Sequence, residues 1–160
     1  TLAAAAYARS RGVLVSYDPN WRPMLWKDPQ EGLETLRLGI PLADILKATP
    51  EELILLTGEA DESSAVGSLM KSGVRVVLLT RGADGSTVYT RAGQVSAPVV
   101  PVQVLDTTGA GDACLGSFLY RLILAMKRGG LTQTIGQENF FWSSDQAIVE
   151  AERRGCGFCQ

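Results

Sequence analysis

No histidine occurs in this chain of 160 residues, and cysteine occurs only three times. An odd number of cysteines makes no disulfide framework. The one close pair, Cys156-Gly157-Phe158-Cys159, has redox or half-zinc-site spacing, but a metal shell needs a second pair or histidines, and the sequence has neither. The formal net charge of -2 gives no electrostatic basis for binding nucleic acid or an anionic membrane surface, so an anionic substrate must be held by local geometry. Long apolar runs are absent too. The runs at residues 53–56 and 74–79 fall far below the roughly 20 residues that span a bilayer. No charged-then-apolar leader opens the chain, which makes a cytoplasmic location the default expectation.

What is present suits a compact domain of ordinary size, with 46% hydrophobic and 20% charged residues. Helical patterns over residues 2–8, 29–38, 50–57, 63–71, 113–128 and about 132–150 alternate with short apolar runs at 13–17, 43–48 and 74–80. Pro50 followed by Glu51 and Glu52 suits a helix start, and Gly58 suits its end. Residues 74–80 are rich in Val and Leu without polar alternation, as expected of a parallel strand covered on both faces. Residues 86–90 and 94–100, separated by Arg91-Ala92-Gly93, read as a hairpin. The alternation predicts a doubly wound α/β structure with a mostly parallel sheet and helices on both faces, as a single domain over residues 1–160.

The most informative segment is Asp106-Thr107-Thr108-Gly109-Ala110-Gly111-Asp112, a turn of small residues leading into an apolar helical run. A helix start exposes backbone N–H groups without intrahelical partners, and with the helix dipole these seat a phosphate. Gly109 and Gly111 let the backbone close around an anion. Asp112 would repel that anion, so its better use is as a base that takes a proton from an attacking hydroxyl. Ordinary helix capping is the plainer explanation of the same residues. The segment lacks the Gly-Lys-Ser/Thr of a Walker A loop and the third glycine of a dinucleotide fingerprint.

Extended to Asp112-Ala113-Cys114-Leu115-Gly116-Ser117-Phe118, the segment closely resembles the C-terminal signature of the ribokinase-like (PfkB-type) carbohydrate kinases. Three further matches follow the family's order: Tyr17-Asp18-Pro19-Asn20-Trp21-Arg22 with Leu25-Trp26, Lys47-Ala48-Thr49-Pro50-Glu51-Glu52-Leu53 with Leu56-Thr57-Gly58, and Thr80-Arg81-Gly82-Ala83-Asp84-Gly85-Ser86. The first of these looks most like the fructokinases of bacteria and plants.

The resemblance implies ATP-dependent phosphorylation of a sugar hydroxyl, fructose to fructose 6-phosphate, in a reducing compartment. The alternatives are 2-keto-3-deoxygluconate or ribose as acceptor and, from a different class, a non-catalytic ATP-binding fragment. Asp112 matches the family's catalytic aspartate, with Gly109, Ala110 and Gly111 supplying the anion-hole N–H groups. Thr80, Gly82, Gly85, Asn20, Arg22 and Lys47 match positions on the nucleotide side, although a plain turn explains Gly85 equally well. Asp106 and Thr108 match positions that bind a monovalent cation such as K+ in several relatives, with turn stabilisation as the competing role. Glu52 matches the glutamate that organises Mg2+ through water, but Thr49 stands where the family has asparagine. A surface glutamate at a helix start is the other reading of Glu52.

By the same resemblance the chain is the C-terminal, nucleotide-side half of such a kinase, truncated at the N-terminus. The first strands, the sugar site and the lid through which many relatives form homodimers lie outside it. Trp21, Trp26 and Cys114 read as packing residues, and Arg153-Arg154 as a solvated helix end. No nucleic-acid or membrane partner is expected, only a small-molecule sugar.

Overall fold

The computed structural model describes residues 1–99 and 106–128. The sequence-predicted helix at about 132–150, Arg153-Arg154 and the Cys156–Cys159 pair lie outside these residues. The chain divides into two compact units, Thr1–Leu79 and Thr80–Gln160.

In the first unit the helices are α1 (Leu2–Ser10), α2 (Pro29–Arg37), α3 (Pro50–Thr57) and α4 (Glu62–Lys71), and the strands are β1 (Ser16–Tyr17), β2 (Ile45–Ala48) and β3 (Val76–Thr80), whose last residue belongs to the second unit. β1 pairs with β2 and β2 with β3, both in parallel, with Ile45 opposite Ser16 on one side and Val76 on the other. All of β2 and the stretch from Val76 to Leu79 are buried, the signature of a parallel sheet covered on both faces.

The strands begin later than the apolar runs suggest, and each delay has a cause. The Val15 N–H donates to the Asp44 carboxylate at 3.0 Å instead of joining a ladder. A 3-10 turn over Ile40–Leu42 holds the Ala43 N–H through the Ile40 carbonyl. Past α4, Gly73 takes a positive φ of 107° so that the Val74 N–H can close the helix on the Leu69 carbonyl. Asp44, only 4% exposed, therefore gathers the amino ends of all three strands. It accepts from the Val15 N–H, pairs with the Arg75 guanidinium at 3.7 Å and offers its carbonyl to the Arg75 and Val76 N–H groups.

Helix boundaries follow local chemistry closely. Asp28 and Asp61 cap α2 and α4 through the Gln30 and Ser64 N–H groups. Gly58, at φ 74°, ends α3 in the left-handed conformation, and the Arg37 guanidinium donates to the last carbonyls of that helix, Leu55 and Leu56. Trp26 packs against buried Gly32, where an added Cβ would stand 2.5 Å from the indole ring.

In the second unit β4 (Ser86–Thr90) and β5 (Gly93–Ala97) pair antiparallel through a tight turn, and β5 ends before Pro98, which cannot donate to a ladder. Helix α5 (Ala110–Arg128) begins three residues before the apolar run suggests, because Ala110, Gly111 and Asp112 already belong to its first turn. Cys114, Phe118, Leu122 and Met126 are buried, a stripe with four-residue spacing. Cys114 is thus a packing residue, as its position implied.

Tyr17 gives the first unit a testable pH dependence. Its hydroxyl donates to the Leu36 carbonyl at 2.9 Å, and burial, with the neighbouring Asp18 charge, pushes the phenol above the ordinary tyrosine range. The folded protein therefore keeps this proton where the unfolded chain releases it. That contribution to stability is complete below about pH 10 and is lost as the pH rises through the folded value. In urea denaturation between about pH 8 and about pH 11, Tyr17→Phe should flatten the alkaline decline and cost about 1 kcal/mol at neutral pH.

Candidate active site

Each unit presents a polar segment where a strand or turn meets a helix. In the first unit, the turn after β1 runs from Asp18 to Arg22. Asp18 is fixed from two sides, with Oδ2 at 3.1 Å from the Lys47 ammonium and Oδ1 accepting the Asn20 N–H at 3.1 Å. Pro19 is buried, whereas Asn20 and Arg22 are exposed. Asn20 is the one non-glycine residue with positive φ, 45°, among the described residues. Asparagine tolerates that region better than most residues, at some cost in strain.

Lys47 does not stand open to a nucleotide. It lies on β2, only 6% exposed, with Asp18 as its ion-pair partner. Glu52 likewise is not a surface residue; it is 7% exposed and both of its oxygens accept backbone N–H groups. Oε2 takes the Thr49 N–H at 2.9 Å and Oε1 takes the Trp21 N–H at 2.7 Å. With the Thr49 hydroxyl accepting the Glu52 N–H at 3.3 Å, this is a complete capping box. A serine, threonine, aspartate or asparagine three residues before a glutamate signals such a box, and Thr49-Pro50-Glu51-Glu52 carries that pattern. The reach of Glu52 across to Trp21 left no signal in the sequence.

The second unit holds the turn from Asp106 to Asp112. The Thr108 N–H and hydroxyl both donate to Asp106 Oδ1 at 2.8 Å, which holds the exposed Asp106 carboxyl below the usual carboxylate range and keeps it ionised. Gly109 takes φ 77°, with open space where a Cβ would stand. Of the sequence-predicted anion-hole donors, the Ala110 N–H is already engaged by the Thr107 carbonyl at 3.1 Å. The N–H groups of Gly109, Gly111 and Asp112 have no hydrogen-bond partner among the described residues. Asp112 thus brings a donor of its own, which the sequence reading missed, and its carboxylate is exposed in the first turn of α5.

After β3, Gly82 begins a 3-10 turn with φ 56° and open space at its Cβ position, so its backbone is accessible. Gly85 has a different reason to be glycine. An added Cβ would lie 2.2 Å from the Ala97 carbonyl oxygen, so this residue lets the hairpin close and is buried. Arg81 fixes the same hairpin by donating to the Thr87 hydroxyl at 2.7 Å. Among the described residues no three histidine, cysteine or acidic side chains gather as a metal site. No described helix is long and apolar enough to cross a membrane.

Residues 1–132 match the family model described as pfkB family carbohydrate kinase. The chain belongs to that family. A probable fructokinase-5 of Arabidopsis thaliana is 38% identical over 122 residues, 76% of this chain and 38% of the relative. A fructokinase from Vibrio cholerae O395, solved with fructose, ADP and a calcium ion, superposes with TM-score 0.73 at 32% identity over 98% of this chain and 45% of its own. A fructokinase from Xylella fastidiosa with bound ATP gives TM-score 0.80 at 28% identity over 99% of this chain and 48% of its own. The chain therefore spans about two fifths of the length of the curated relatives it matches. These kinases share its fold class, a mostly parallel α/β sheet with helices.

The Asp18–Lys47 pair is open to a stability test. Removing the ammonium alone strands a largely buried carboxylate, so Lys47→Met should cost roughly 3 kcal/mol in chemical denaturation. Combining it with Asp18→Asn should recover much of that loss, because the uncompensated charge disappears with its partner.

Proposed function

We propose that this chain carries the nucleotide-side part of a sugar kinase that moves the γ-phosphoryl group of ATP to a sugar hydroxyl, with the 6-hydroxyl of fructose as acceptor. The observation that carries this reading is the start of α5, where an exposed carboxylate sits beside the open N–H groups of Gly109, Gly111 and Asp112. Such a cradle stabilises charge on a moving phosphoryl group, and an adjacent base makes the acceptor alcohol a better nucleophile.

In this mechanism the sugar oxygen attacks the γ-phosphorus while Asp112 takes its proton. The bond from that phosphorus to the bridging oxygen breaks, and ADP departs with the electron pair. The Gly109, Gly111 and Asp112 N–H groups donate to the transferring oxygens. Gly82 offers accessible backbone to nucleotide phosphates, and Thr80 precedes it at the end of β3. In the first unit the exposed Arg22 and Asn20 carry a forked cation and an amide, chemistry suited to phosphate. Mg2+, when bound, neutralises the nucleotide phosphates. Both Glu52 oxygens already serve backbone N–H groups, which leaves this carboxylate poorly placed to ligate such an ion directly. Asp106, ionised and exposed beside the Thr108 hydroxyl, has the donor chemistry for a monovalent cation such as K+.

Fructose as acceptor is supported by the relatives named fructokinase and by the Vibrio cholerae structure holding fructose with ADP. In the whole kinase of which this is the nucleotide-side part, coupled ADP-release assays with fructose, ribose and 2-keto-3-deoxygluconate should show sugar-dependent turnover, highest for fructose. Asp112→Asn should lower turnover by about two to four orders of magnitude while calorimetric ATP binding persists. Undiminished turnover in that variant would remove Asp112 as the base. ATP binding with no sugar-dependent turnover in the unsubstituted protein would instead favour a non-catalytic nucleotide-binding role.

A further inference from the structure

We propose that Lys47 and Glu52 are positioning residues, which together lock the turn from Asp18 to Arg22 in one backbone conformation and so set where Asn20 and Arg22 meet the phosphates of a nucleoside triphosphate. This rests on the reading above that Asn20 and Arg22 contact the nucleotide.

The turn is held from two successive elements. From β2, the Lys47 ammonium grips Asp18 Oδ2 at 3.1 Å. From the start of α3, Glu52 Oε1 accepts the Trp21 N–H at 2.7 Å, while its other oxygen is fixed by the Thr49 N–H at 2.9 Å. Within the turn, Asp18 Oδ1 accepts the Asn20 N–H at 3.1 Å. These contacts bracket Asn20, whose φ of 45° places it in the left-handed region. A non-glycine residue stays in that region only when its surroundings over-determine it, and such strain gathers at ligand-binding positions.

Burial separates the holders from the held. Lys47 and Glu52 are 6% and 7% exposed, whereas Asn20 and Arg22 face outward. Among the described residues the Arg22 guanidinium makes only a long 3.4 Å bond to the Trp21 carbonyl, which leaves most of its donors for an anion. A turn already fixed in its binding form loses little further freedom when a ligand arrives. Lys47 and Glu52 therefore act on the nucleotide through the turn, not by touching it.

Three variants test the assignment. Glu52→Gln keeps one acceptor oxygen for two N–H groups, Lys47→Met removes the cation, and Lys47→Arg keeps it. In hydrogen exchange, the Asn20 and Trp21 amides should open at least about tenfold faster in Glu52→Gln and Lys47→Met. The KM for ATP should rise about tenfold in both, with kcat within about twofold and the Mg2+ requirement unchanged, as expected when ground-state and transition-state binding fall together. Lys47→Arg should restore both readouts. Glu52→Gln, the milder change, carries the test if Lys47→Met does not fold. A raised Mg2+ requirement with unchanged turn exchange would overturn the inference, making Glu52 a metal organiser. Faster exchange with unchanged ATP affinity would overturn it equally. No ATP binding by the unsubstituted protein would overturn the nucleotide reading and this inference with it.

Discussion

A cation on a wholly buried strand needs an anion within reach, and that constraint shapes the first unit. β2 is buried at every position, yet it carries Lys47, whose ammonium would be a costly unpaired charge there alone. Asp18 supplies the charge from the turn after β1, which ties that turn to the middle of the sheet. Once Asp18 is fixed, its second oxygen captures the Asn20 N–H and the chain bends through a left-handed residue. The exposed pair Asn20 and Arg22 owes its geometry to a charge that is itself hidden.

The two best-defined helix starts show opposite solutions to one problem. Every helix leaves its first N–H groups without internal partners. At α3 these are closed, because Thr49 and Glu52 form a reciprocal box and Glu52 reaches on to Trp21. At α5 the Ala110 N–H is engaged by the Thr107 carbonyl, but those of Gly111 and Asp112 have no partner among the described residues, and Gly109 turns the backbone through positive φ. A closed start stabilises the fold, whereas an open one leaves donors without an internal partner. Carboxylates near both starts thus do different work. Glu52 accepts from the backbone of its own protein, while the Asp112 carboxylate stays exposed.

Much of the architecture could be read from local chemistry. Pro50 and Gly58 bounded α3 because proline suits a first turn and glycine a left-handed end, and the apolar run before Thr80 marked a buried strand. The hairpin was legible from its two β-rich runs and the turn between them. Strand starts were less so. The leading residues of each run turned out to serve a side-chain acceptor or a helix end, and no apolar pattern records where an N–H points.

Site residues divide along the same line. The order Asp106 to Phe118 by itself determined a glycine turn into a helix start with an acid in its first turn, because glycine backbone freedom and the unpaired donors of a first turn are properties of consecutive residues. Whether a given polar side chain is offered to a ligand or spent inside the protein was decided only by the tertiary structure. Lys47 and Glu52 look like ligand residues in the chain, and Gly85 like part of a phosphate loop. Folding gave the first two partners at Asp18 and Trp21, and gave the third a carbonyl in place of a Cβ. The physical reason is that burial and pairing depend on which distant residues arrive within about 3 Å, and spacing along the chain does not encode that distance.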